Sequence, residues 1–77
     1  MARTIETGTD ELQVEVTDER VGIITMNRPE RRNALTGAML DGIGAALADF
    51  ETATDVGCVV LTGAGGAFCA GGDVKGF

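Results

Sequence analysis

Apolar and polar residues alternate from Leu12 to Thr17, with Leu12, Val14 and Val16 on one face and Gln13, Glu15 and Thr17 on the other. A period of two is the signature of a half-buried strand. The polar run Thr17-Asp18-Glu19-Arg20 then turns the chain. Val21-Gly22-Ile23-Ile24-Thr25-Met26 follows as an almost continuous apolar run, the pattern of a strand buried on both faces. Together the two strands predict a hairpin. Residues 1–10 are polar and unpatterned, so a loose leader is expected there and an ordered region over 11–77.

Pro29 pushes Arg28 out of the helical region, which makes Asn27 to Asn33 a loop. Thr36 can cap a helix with its side-chain oxygen. Met39, Leu40, Ile43, Leu47 and Phe50 recur at spacings of three and four in Ala-rich sequence, predicting an amphipathic helix over 37–53 with those residues on its buried face. Gly37, Gly42 and Gly44 each weaken that helix by about 1 kcal/mol relative to Ala. They imply close packing against a neighbouring backbone, or a helix that depends on tertiary support. Asp55-Val56-Gly57 is a turn, and Cys58-Val59-Val60-Leu61-Thr62 is a short buried strand. Strand, helix and strand in this order predict a right-handed crossover joining parallel strands, hence an α/β fold. A Gly-rich loop runs from Gly63 to Gly72, and a further helix opens near Asp73. The chain ends at Phe77, inside the first turns of that helix, and the expectation is of a truncated domain.

Composition narrows the chemistry. A chain of 77 residues is one small domain with a marginal core. It has two cysteines, Cys58 and Cys69, and no histidine, which excludes the usual zinc spacings, and no metal site is expected. Without a secretory signal a disulfide is not expected either, and both cysteines read as small buried apolar residues. Six basic against twelve acidic residues leave a formal charge of −6. That balance excludes the basic face of a nucleic-acid binder but leaves room for a local pocket for one phosphate group. No apolar run approaches the roughly 18 residues that span a bilayer, and Met1 to Gly8 contains no apolar signal core. The expectation is a soluble, cytoplasmic protein with neither nucleic acid nor membrane as partner.

The loop after the last strand, Thr62-Gly63-Ala64-Gly65-Gly66-Ala67-Phe68-Cys69-Ala70-Gly71-Gly72-Asp73-Val74-Lys75, stands where open α/β sheets bind ligands. Two phosphate motifs fail on it. A P-loop requires Gly, four residues, then Gly-Lys-Ser/Thr, whereas the one lysine, Lys75, precedes Gly76. The dinucleotide fingerprint counted from Gly63 requires glycine at position 68, which is Phe68. Two readings stay open: backbone N–H donors aimed at an enolate or thioester oxygen, or glycines that merely make a tight turn.

Two segments bear on that choice. Ile24-Thr25-Met26-Asn27-Arg28-Pro29-Glu30-Arg31-Arg32-Asn33-Ala34-Leu35 resembles the NRP…NAL motif of the crotonase (enoyl-CoA hydratase/isomerase) superfamily. Val59-Val60-Leu61-Thr62-Gly63, followed by Ala67-Phe68-Cys69-Ala70-Gly71-Gly72-Asp73-Val74-Lys75, resembles its VLTG…AFCAGGDL motif. The likeness covers residues 12–77. It implies a spiral of ββα units, of which the N-terminal portion is present, assembled as trimers or dimers of trimers. It also implies binding of an acyl-CoA thioester, with coenzyme A part of the substrate and no separate cofactor, and an enolate held by two backbone N–H groups. Residue by residue, Gly72 matches the first oxyanion donor. Glu30, Arg31, Arg32 and Ala34 match the segment around the adenine and phosphates of CoA, and Asp73, Val74 and Lys75 match adenine-side contacts. Arg31, Arg32 and Lys75 supply the positive charge a CoA phosphate requires.

Blander roles compete at each position. Arg31 and Arg32 also fit solvated loop charges. Asn33 reads as a cap or turn residue bonding the backbone rather than a substrate contact, and Asp73 as a helix N-cap rather than a catalytic acid. Cys69 reads as packing, and Phe50 and Phe68 as core. Glu6, Glu11, Glu15, Glu19 and Glu51 match no catalytic position of the family. In the resemblance, the second donor and any acid/base carboxylates lie beyond Phe77, so the chain alone is expected to be inactive. Hydration of a 2-enoyl-CoA is the leading reaction. Isomerase, hydrolase or decarboxylase chemistry, a non-catalytic piece acting through assembly, and an unrelated nucleotide-binding βαβ unit are the alternatives.

Overall fold

The alternating segment forms strand β2 (Leu12–Val16), and the near-continuous apolar run forms β3 (Val21–Met26). They appear in a computed structural model that describes residues 2–65 and Phe68. The strands pair antiparallel with Leu12 opposite Met26, Val14 opposite Ile24 and Val16 opposite Gly22. This register puts every buried residue of both strands on one face. Val21, Ile23 and Thr25, on the other face of β3, are half-buried, so β3 is less enclosed than its apolar run suggests. The hairpin closes through Thr17, whose N–H donates to the carbonyl of Val21 at 2.9 Å and whose hydroxyl accepts the Val21 N–H at 3.2 Å. Arg20 takes up φ 68° to complete the turn.

Part of the expected loose leader is ordered as a third strand, β1 (Arg3–Ile5). It pairs antiparallel with β2, Arg3 opposite Val16 and Ile5 opposite Val14. Three residues carry no readable periodicity, and a tertiary contact anchors them. The Arg3 guanidinium donates to Asp55 at 2.7 Å and 3.0 Å and to Asp49 at 3.2 Å, tying the strand to the far end of the helix.

Helix α1 (Gly37–Thr52) begins where Thr36 accepts the Met39 N–H on its hydroxyl, at 3.2 Å. Its buried stripe is Met39, Gly42, Ala46 and Phe50, laid over β2 and β3. Leu40 and Leu47, expected in the core, stand 45% and 47% exposed. At Gly42 a Cβ would meet Leu12 Cδ2 at 2.6 Å, so the helix comes close to the sheet along the Met39, Gly42, Ala46 and Phe50 stripe, and Leu40 and Leu47 lie off that stripe. Gly37 and Gly44, by contrast, face open space, so of the three helical glycines only Gly42 serves close packing.

After α1 the chain enters β4 (Cys58–Gly63), parallel to β3, with Val21 opposite Cys58 and Met26 opposite Gly63. The sheet order is β1-β2-β3-β4. β4 was expected to be buried, yet Val59, Val60 and Leu61 are 43–44% exposed. Among the described residues β4 is an edge strand, and α1 sits over β2 and β3 rather than over it. Cys58 is likewise exposed and a free thiol, not buried packing. Among the described residues no helix is long and apolar enough to cross a membrane.

Candidate functional site

The parallel pairing of β3 and β4 brings the two chemistry-bearing segments to one corner, because both strands deliver their carboxyl ends there. From β3 the chain leaves through Asn27, whose N–H donates to the Glu11 carbonyl at 2.7 Å. A single 3-10 turn follows at Pro29–Arg31. Proline suits the first position of such a turn, since its fixed φ is helical and its missing N–H is not required. Arg32 and Asn33 then occupy the left-handed region, φ 52° and 60°. Two consecutive left-handed residues double the loop back, so that Asn33 N–H donates to the Arg28 carbonyl at 2.8 Å and Ala34 N–H to the Arg31 carbonyl at 3.1 Å.

Charge is sorted sharply in this loop. Arg28 is buried; its guanidinium donates to the Ala34 carbonyl at 2.8 Å and lies 3.4 Å from Glu11 Oε2. Glu11 also accepts the Thr36 hydroxyl at 2.8 Å, so one carboxylate links the loop to the cap of α1. Glu30, Arg31 and Arg32 are exposed and Ala34 is half-buried. Neither Arg31 nor Arg32 forms an ion pair among the described residues. Buried Arg28 therefore holds the loop, while the exposed pair presents its guanidinium groups to solvent.

The turn after β4 packs on this loop. Ala64 N–H donates to the Met26 carbonyl at 2.8 Å, and the Ala64 carbonyl accepts Asn33 Nδ2 at 2.8 Å. Gly65 adopts φ 77°, and a Cβ on it would stand 2.8 Å from Pro29 Cβ. Glycine is required here twice over, for its dihedral and for the close approach. Of the residues singled out in the sequence, Glu30, Arg31, Arg32 and Ala34 thus share a corner with the start of the Gly-rich loop. Gly72, Asp73, Val74 and Lys75 lie outside the described residues, as does Cys69. Phe50 is core at 6% exposure, whereas Phe68, also assigned to the core, is 56% exposed. Asn33 bonds backbone groups, as a turn residue was expected to.

Sequence reasoning missed the Arg28–Glu11–Thr36 chain and the Arg3–Asp55 pair. No spacing marks either one, since they join residues 17 to 52 positions apart. Elsewhere, a cleft of about 340 Å³ opens along β1 and β2, lined by residues including Glu6, Asp10 and Glu15. Its acidic rim has the wrong sign for a phosphate ligand.

Known proteins resemble this chain in sequence and in fold. A family profile described as enoyl-CoA hydratase/isomerase matches residues 21–77, and the chain belongs to that family. A probable enoyl-CoA hydratase of Mycobacterium tuberculosis is 51% identical over 58 residues, 75% of this chain and 23% of the relative. Another enoyl-CoA hydratase from M. tuberculosis is 45% identical over 75 residues, 94% of this chain and 26% of the relative. Among solved structures, a probable enoyl-CoA hydratase/isomerase from Mycobacterium abscessus superimposes with a TM-score of 0.83 at 45% identity, over 90% of this chain and 27% of that one. The enoyl-CoA hydratase of M. tuberculosis H37Rv does so at 0.79 and 53% identity, over 86% and 29%. The chain therefore spans about a quarter of the length of these relatives. Its sheet and helix are the N-terminal part of a crotonase-type fold, as the paired motifs implied.

Proposed function

We propose that this chain is the CoA-binding front segment of an enzyme acting on acyl-CoA thioesters, with hydration of a 2-enoyl-CoA as the reaction. One observation carries the reading: the loop that bears the exposed Arg31–Arg32 pair packs on the turn after β4, through Asn33 on Ala64 and Pro29 on Gly65, at the carboxyl ends of two parallel strands. The relatives' names, enoyl-CoA hydratase, support the substrate class. In this account Arg31 and Arg32 neutralise CoA phosphates by forked hydrogen bonds, with Lys75 as a third cation and Glu30, Ala34, Asp73 and Val74 around the adenine. Coenzyme A enters as part of the substrate, with no further cofactor.

The Gly72 N–H is assigned to the thioester carbonyl. As negative charge develops on that oxygen, a donor already in place stabilises it without reorganising, and a lost donor of this type typically costs about 100- to 1000-fold in turnover. Of the described glutamates, Glu11 is occupied by Arg28 and Thr36, Glu6 lines the β1–β2 cleft, Glu15 lies on β2, Glu19 in the hairpin turn and Glu51 on α1, while Glu30, exposed in the arginine loop, is assigned to the adenine end of CoA and not to the thioester. The 77 residues alone are therefore expected to bind CoA without turning over an enoyl-CoA.

Calorimetry tests the binding. Coenzyme A should give saturable heat with the chain, weakened about three- to tenfold by either Arg31→Ala or Arg32→Ala and further by salt. Absence of saturable heat, or an affinity unchanged from the parent chain in both variants, would defeat the reading.

A specific observation favours a second role beside it. Leu40 and Leu47 of α1 and Val59, Val60 and Leu61 of β4 are all exposed, which fits a segment that works by packing against further polypeptide, including the trimeric assembly the family resemblance implies. Retained monodispersity of the chain at high concentration, with no dye bound to apolar surface, would count against that role.

A further inference from the structure

Asn33 occupies the seam between the two loops. It is 0% exposed and sits at φ 60°, a conformation in which asparagine is enriched several-fold over most non-glycine residues. Its Oδ1 accepts the Arg28 N–H at 2.8 Å, which closes the arginine loop on itself. Its Nδ2 donates to the Ala64 carbonyl at 2.8 Å, across 31 residues of chain. The same turn is held from the other side by Ala64 N–H on Met26 and by Gly65 against Pro29.

We propose that Asn33 is a positioning residue that sets the spacing between the Arg31–Arg32 pair and the turn after β4, and so tunes CoA affinity without touching CoA. This rests on the CoA reading of the corner given above. One amide group spans both segments, and the bonds to Arg28 N–H and to the Ala64 carbonyl both end on backbone, so the two loops move together. A buried donor or acceptor left unmatched costs more than the bond it formed, and relief would come from the loops separating.

Asn33→Asp separates the two arms. It keeps an acceptor for the Arg28 N–H, removes the donor to Ala64 and sets two acceptors facing each other. Amide exchange at Ala64 and Gly65 should quicken about tenfold relative to Val14 and Ile24, and the CoA dissociation constant should rise about tenfold. Asn33→Gly, which tolerates the dihedral but loses both arms, should do the same if the aspartate variant fails to fold. Phe50→Leu serves as a control for lost stability alone, since it acts at the far end of α1, and should leave CoA affinity within about twofold. The proposal is overturned if exchange at Ala64 is unchanged, or if affinity falls in the control in proportion to stability as it does in the Asn33 variants. Failure of the unaltered chain to bind CoA defeats the CoA reading instead, and the exchange comparison, which needs no ligand, still decides whether Asn33 clamps the turn.

Discussion

The same substitution, made at two positions two residues apart on α1, should change stability in opposite directions. At Gly44, exposed and with nothing within 4 Å of an added Cβ, alanine gains about 1 kcal/mol from its better helix propensity and the smaller entropy it loses on folding. At Gly42 the same propensity gain applies, but the new Cβ would stand 2.6 Å from Leu12 Cδ2 and 3.7 Å from Thr7 Cβ. Comfortable carbon contacts begin near 3.5 Å, so the leucine methyl must retreat by roughly 1 Å. Leu12 is 1% exposed in the cluster with Met26 and Met39, and overpacking of such a site costs about 1–3 kcal/mol. Subtracting the propensity gain leaves Gly42→Ala destabilising by about 1 kcal/mol. For a domain of this size each kcal/mol moves the midpoint by about 4–8 °C. Thermal melts followed by circular dichroism should show Gly44→Ala above and Gly42→Ala below the parent chain. Equal stabilisation by both would mean that α1 does not meet the sheet on Gly42.

Thr36→Ala removes the oxygen that accepts the Met39 N–H and should cost about 1 kcal/mol in urea titrations; an unchanged midpoint would refute the cap. The Arg3 hydrogen bond holds the Asp55 carboxyl below its ordinary value of 3.8. A carboxylate depressed in the folded state adds stability that is present above pH 3.8 and lost as pH falls through its folded value. The stability difference between the parent chain and Arg3→Ala should therefore close in acid and narrow in high salt, and a difference that persisted in acid would count against the pair.

How far the sequence could be read depended on whether a feature is local. The period-two run at Leu12–Val16, the Thr36 cap and the helix that follows it are local patterns, and each formed within a residue or so of expectation. The strand expected over Cys58 to Thr62 formed as Cys58–Gly63. The arginine loop and the Gly-rich turn were also legible as motifs, and the structure brings Arg31, Arg32 and Gly65 to one corner. What failed depended on tertiary contacts. β1 forms by pairing with β2 and is tied down by Arg3 on Asp49 and Asp55, partners that no window around Arg3 contains. The buried face of α1 was assigned to its largest apolar side chains; Met39 and Phe50 are buried and Ile43 packs against the core, but Leu40 and Leu47 are exposed, and Gly42 and Ala46 complete the buried stripe where the helix comes near the sheet. Cys58, Val59 and Leu61 read as buried because their strand is apolar, but burial of a strand is conferred by its neighbours.

Site-resolved NMR titration of the isotopically labelled chain with coenzyme A tests the central claim most directly. Saturable shifts should concentrate at Arg31, Arg32, Ala64 and Gly65 and leave the β1–β2 cleft around Glu6 and Asp10 untouched. Shifts centred on that cleft, or none at the arginine corner at millimolar coenzyme A, would contradict it.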